Sequence, residues 1–240
     1  MPEQGGSRFS PPAVAAVLVV ALAVMIVVGV VAWKARAEVV AGTALPADAA
    51  GPGVPAGVTA NGAIRIGDPG AKVVVRVVMD LQCPACRRFE KANGAVLERA
   101  AKSGTAAVEY NVISFLDRAS TTEYSSRAGN AAFCVAASGS ANFQKWLETM
   151  FEEQPAEGGA GLPDSKLIDM AKGAGYTDSA VAQCITGRQY DQFLDKTTKD
   201  VLAGDVKGTP TVFINGKKVD SSSAIYSEGG LGPVIESAAR

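Results

Sequence analysis

Val73-Val74-Val75-Arg76-Val77-Val78-Met79 is apolar at six of its seven positions. That pattern predicts a strand covered by helices on both faces. Ala63 to Ile66 predicts a short strand before it, closed by the turn Gly67-Asp68-Pro69-Gly70. Arg87 to Lys102 switches to helical spacing, with Pro84 suited to the first helical turn. Ala106 to Phe115 returns to a strand pattern, so strand, helix and strand form a β-α-β unit with parallel pairing. A helical block follows, with segments at Ser125–Ala137, Ala141–Glu153, Asp164–Lys172, Asp178–Ile185 and Gln189–Leu202. Ser140 or Asn142 is a candidate cap for the second, and Asp164 or Ser165 for the third. Thr211 to Val219, centred on Asn215-Gly216, predicts a hairpin. Leu231 to Ala239 predicts a closing helix.

The amino-terminal pattern is different. Ala13 to Trp33 is a run of 21 uncharged residues, long enough to cross a hydrocarbon core of roughly 30 Å. Trp33 and Lys34 end it in the manner of an interfacial belt. The alternative is a cleaved signal peptide, for which Ala35-Arg36-Ala37 supplies the small-x-small pattern. A retained anchor is the expectation, because the run exceeds a signal core of about 7–15 residues. Domain boundaries follow: a short segment at 1–12, a transmembrane anchor at 13–33 and an Ala-, Gly- and Pro-rich tether at 34–61. A domain at 62–240 carries a helical insertion at about 118–203. Arg8 before the span and Lys34 and Arg36 after it do not fix orientation by charge.

Net charge is −1, so the chain lacks the electrostatic footprint of a nucleic-acid binder. There is no histidine. Ser-His-Asp triads, Cys-His pairs and His-ligated metal sites are therefore excluded. Any cysteine must be activated by a helix terminus, backbone donors, lysine or arginine.

Cys83-Pro84-Ala85-Cys86 falls between the predicted strand and helix. Orphan N–H groups and the positive helix end at that point stabilise a thiolate, the form that attacks disulfides. Half a zinc site or a purely structural bridge are the competing readings. A zinc site built from four cysteines needs a second close pair, whereas Cys134 and Cys184 stand 50 positions apart. No metal and no cofactor is expected. Persistent disulfide chemistry places the domain outside the cytoplasm.

Asp80 to Glu90 around the cysteines, and Val206-Lys207-Gly208-Thr209-Pro210-Thr211-Val212-Phe213-Ile214-Asn215-Gly216, resemble the DsbA-like thioredoxin family, in its membrane-anchored actinobacterial form. The likeness covers roughly Ala63 to Arg240. The implied fold is α/β: a thioredoxin-like sheet with a helical insertion, preceded by one transmembrane helix. The 124 positions from Cys86 to Pro210 leave room for that insertion.

The resemblance implies that Cys83 is the exposed nucleophile and Cys86 the resolving cysteine of a redox-active disulfide. Thr209 and cis Pro210 would form the substrate-binding loop. Four cysteines in an exported chain make two pairs, so Cys134 and Cys184 are expected to bridge the insertion, as in related anchored proteins. Free buried thiols or a second redox relay are the alternatives.

Two departures matter. Ala85 replaces the histidine often found inside the motif of strong oxidants. Val77 stands where thioredoxins keep a buried acid. Asp80 is read as a strand-end cap, with a proton acceptor as the alternative. A reduction potential between about −270 mV, as in thioredoxin, and about −120 mV, as in DsbA, is expected.

The implied activity is extracytoplasmic thiol–disulfide exchange that introduces disulfides into exported cysteine-containing proteins. The implied reoxidant is a membrane protein of DsbB or vitamin K epoxide reductase-like type. A reductase or isomerase, for example in cytochrome c maturation, is the alternative enzyme, and a non-catalytic peptide-binding module or chaperone the alternative class. The chain is expected to be a monomer, single-pass in the cell membrane.

Overall fold

Strand β2 (Val73–Met79) lies at the centre of a five-stranded sheet in a computed structural model that describes residues 54–240. The order is β1-β3-β2-β4-β5, with β1 at Ile64–Ile66, β3 at Ala106–Val112, β4 at Thr211–Ile214 and β5 at Lys217–Lys218. Within this sheet only β2 and β3 pair in parallel; helix α1 (Pro84–Lys102) makes the crossover between them. The other three pairings are antiparallel.

The register sorts the side chains. Val75, Val77 and Met79 align with Val108, Tyr110 and Val112, and Val77 also aligns with Val212. This face joins Phe89 and Leu97 of α1 in the main core. The opposite face is split. Val78, Phe213 and Ile113 pack with Val201 and Val206. Beside them, Arg65, Glu109, Arg76 and Asn111 form a polar network, in which Arg65 Nε donates to Glu109 at 3.0 Å.

Helices α2 (Tyr124–Ala137), α3 (Phe143–Glu152), α4 (Asp164–Ala174), α5 (Ser179–Thr186) and α6 (Asp191–Ala203) make the insertion between β3 and β4. Short α7 (Ser222–Tyr226) and terminal α8 (Gly232–Ala239) follow the hairpin. The proposed anchor at 13–33 and most of the tether lie outside the described residues. Among the described residues no helix is long and apolar enough to cross a membrane.

Several local expectations need correction. Strand β3 stops at Val112, not Phe115, because other groups capture the following backbone. Ser114 N–H donates to Thr198 Oγ1 at 3.0 Å, and Leu116 N–H to Asp80 Oδ2 at 2.8 Å. Asp164 is the first residue of α4 rather than its cap; its carboxylate accepts from Arg127 Nη1 at 2.9 Å. Asn142 occupies the cap position of α3, but its side chain makes no capping bond. Helix α7 has no periodic run long enough to mark it; Ser221 caps it by accepting from Ala224 N–H. The turn at Asn215-Gly216 has both residues at positive φ, 46° and 79°, which suits a two-residue hairpin loop and favours these residue types.

Candidate active site

Asp80 builds the turn that presents the cysteines. Its fully buried carboxylate accepts from Gln82 N–H, Leu116 N–H and Ser125 Oγ, each at 2.8 Å. Its backbone carbonyl accepts from Cys83 N–H at 3.0 Å. Burial raises the Asp80 pKa to about 6, and the three donors hold it from rising further. Asp80 thus caps the end of β2 and binds it to the loop after β3.

Cys83 occupies the N-cap position of α1, and Pro84 starts the helix. The Cys83 side chain makes no capping bond, so the sulfur remains available beside the helix terminus. Both Cys83 and Cys86 are free thiols here, the reduced state of the pair. Cys83 is 7% exposed and Cys86 fully buried. The expectation of an exposed Cys83 is therefore corrected: its sulfur lies against the loop before β4, donating to the Thr209 carbonyl at 3.4 Å.

The two thiols differ strongly. Cys83 is pulled down to about 6, chiefly by the Cys86 thiol donating to its sulfur. The Thr209 side chain and the backbone N–H groups of Cys86 and Ala85 add to this, while burial opposes it. The contact with the Thr209 carbonyl favours the neutral thiol but is outweighed by these donors. Cys86 is pushed well above its ordinary value, first by burial and then by Cys83. One sulfur is therefore mostly thiolate at neutral pH, and its neighbour holds the proton.

The Thr209–Pro210 peptide bond is cis. The N–H groups of Val206 to Thr209 make no backbone–backbone hydrogen bond, in a loop that bends at Gly208 to Pro210 and meets the Cys83 sulfur through Thr209. The Thr209 hydroxyl is buried without a hydrogen-bond partner. The structure thus brings Cys83, Cys86, Thr209 and Pro210 together. Among the described residues no three cysteine or acidic side chains converge as metal ligands.

Cys134 and Cys184 stand apart from this site. They form a disulfide that joins α2 to α5 across 50 positions, with both sulfurs buried in the core. Asn130 secures the same junction, donating to the Ile185 carbonyl at 3.2 Å and accepting from Tyr190 N–H at 2.8 Å.

Two residues near the cysteines escaped the sequence reading. Glu90 lies one helical turn beyond Cys86, on the buried face of α1. Gln144 donates to it at 2.6 Å, and Tyr110 Oη donates to Gln144 at 2.6 Å. Burial raises the Glu90 pKa to about 8. Gly94 makes its space, since a Cβ there would sit 2.5 Å from Glu90 Oε1. A carboxylate on the apolar stripe of the predicted helix was a readable signal. Gln154 had none: it lies in the Gly- and Pro-rich segment after α3, yet its Nε2 donates to the carbonyls of Leu81 and Cys83.

A family model described as Thioredoxin matches residues 59–227. The fold is similar to oxidised DsbA of Mycobacterium tuberculosis, at 34% identity and TM-score 0.60, covering 74% of this chain and 97% of that one. It is equally similar to the reduced form of a disulfide bond oxidoreductase, DsbG, from the same organism. There the identity is 34% and the TM-score 0.61, with 79% and 94% covered. Serine/threonine-protein kinase PknE of M. tuberculosis is 27% identical over 161 residues; these are 64% of this chain, which spans only 28% of that relative's length. With a cysteine pair at a strand-to-helix junction facing a cis-proline loop, the chain belongs to the thioredoxin family, in its DsbA-like branch of thiol–disulfide oxidoreductases.

Proposed function

We propose that this protein is a membrane-tethered oxidase that introduces disulfides into exported proteins. The observation that carries this reading is the asymmetry of the cysteine pair. A nucleophilic sulfur held near pKa 6 stabilises the reduced pair, and stabilising the reduced pair makes its disulfide a better oxidant.

The cycle starts from the Cys83–Cys86 disulfide. A client thiolate attacks Cys83 Sγ, forming a mixed disulfide and expelling Cys86 as a thiolate that takes a proton. A second client thiolate then attacks the client sulfur of the mixed disulfide. The client disulfide forms and Cys83 leaves as the stabilised thiolate. Two electrons pass from the client to the cysteine pair. A membrane reoxidant of DsbB or vitamin K epoxide reductase-like type removes them, and the tether raises the local concentration for that encounter. The unpaired backbone N–H groups at Val206 to Thr209 would hold the client segment by main-chain hydrogen bonds.

The test is the redox state of Cys83 and Cys86 in cells, together with clients trapped on a Cys86→Ser variant. A mostly oxidised pair with exported proteins in the trap is the expected result. A mostly reduced pair overturns the oxidase direction and favours a reductase. A reporter fused after Arg240 should report from outside the cytoplasm; a cytoplasmic signal would contradict the location.

A further inference from the structure

We infer that Gln154, just past the C-terminal end of insertion helix α3, is a positioning residue for the nucleophile Cys83. The inference rests on the oxidoreductase reading above and adds a role for the insertion within it.

Gln154 Nε2 donates to the Leu81 carbonyl at 2.9 Å and to the Cys83 carbonyl at 3.1 Å. The bridge runs both ways. Arg87 Nη2, on the first turn of α1, donates to the Glu152 carbonyl at 3.2 Å, one of the orphan carbonyls at the end of α3. The C-terminal end of α3 is thereby bound to the N-terminal end of α1. Leu81 is buried, so its carbonyl would lose a partner without the amide.

Two consequences reach the sulfur. The amide offsets the negative ends of the Leu81 carbonyl and of the Cys83 carbonyl itself. It also fixes the residue whose carbonyl opens α1, accepting from Cys86 N–H at 3.0 Å and Arg87 N–H at 3.2 Å. The sulfur is therefore held beside the N-terminal end of α1, without a capping bond of its own. Arg87, Glu152, buried Asp80, and Glu153 with Lys166 paired to it at 3.4 Å are charged groups at this junction, and Gln154→Met adds and removes no charge among them.

The test compares the full-length protein with Gln154→Met, which keeps the shape and loses the donor, and Gln154→Glu, which sets an acceptor against two acceptors. Thiolate absorbance against pH, the equilibrium with glutathione and the melting temperature are read on each. The expected result is a rise in the Cys83 midpoint, larger for Glu than for Met. For Met, the glutathione equilibrium should move about three- to tenfold toward the protein disulfide, the factor carried by one hydrogen bond. That is about 15–30 mV for this two-electron couple. Midpoints and equilibria within twofold of the native protein would overturn the inference, whatever the melting temperature does. Failure of the oxidoreductase reading is separate: the native pair would then not exchange with glutathione, while the thiolate midpoints would still decide the role of Gln154.

Discussion

The protein carries two cysteine pairs in one domain, and their surroundings differ in kind. Cys134 and Cys184 close across two helices in the core, where Asn130 hydrogen bonds to the backbone at the same junction. Cys83 and Cys86 sit three apart at the start of a helix, with donors directed at one sulfur and burial imposed on the other. The first arrangement favours a permanent bridge. The second makes the two sulfurs unequal, and inequality is what exchange chemistry needs. Reactivity here is a property of the local dipoles rather than of the cysteines themselves.

The largest expected contrast comes from removing each pair. Cys83→Ser should abolish oxidation of a reduced, unfolded client while leaving the melting temperature near that of the native protein. Replacing both Cys134 and Cys184 by alanine should preserve the chemistry at Cys83 and lower stability by about 2–4 kcal/mol, read by denaturant unfolding. Loss of exchange at Cys83 in the second variant would break the comparison, because it would make the bridge part of the redox machinery.

Glu90 gives the next effect, on the pH dependence of stability. Its pKa is raised by burial to about 8, so the folded state favours its protonated form. The associated stability is fully present below the unfolded carboxylate value of about 4.3 and is lost as pH rises through about 8. Glu90→Gln should flatten this decline and be more stable than the native protein at pH 9, by on the order of a few kcal/mol. Parallel stability–pH curves for the two proteins would show that Glu90 ionises freely.

The smallest effect concerns Thr209. Thr209→Val keeps the shape and removes a buried, unpartnered hydroxyl beside the cysteine pair, one of the groups that lower the Cys83 and Cys86 values. The Cys83 midpoint should rise by about half a unit to one unit. No change in a thiolate titration would leave the helix terminus and Cys86 as the whole cause of its low value.

Much of this was legible because local physics decides it. The valine run of β2, the Asn215-Gly216 turn and Pro84 after Cys83 each carry their structure in adjacent residues. Asp80 was readable as a strand-end cap, since a short acceptor at that point binds nearby N–H groups. Glu90 was half legible: its helical position was clear, but its Gln144 partner lies 54 positions away. Gln154 was not legible, because its two bonds span 71 and 73 positions and leave no periodic trace. The near-complete cover of Cys83 was missed for the same reason, since it comes from contact with Thr209, 126 positions further on.

The central claim is that the fold makes Cys83, and not Cys86, the low-pKa nucleophile. Its most direct test is the rate of alkylation of the reduced protein against pH, with the modified cysteine identified by peptide mapping. The account predicts modification at Cys83 alone, with a midpoint near pH 6. A midpoint near the ordinary thiol value of about 8.5, or equal modification of Cys83 and Cys86, would contradict it.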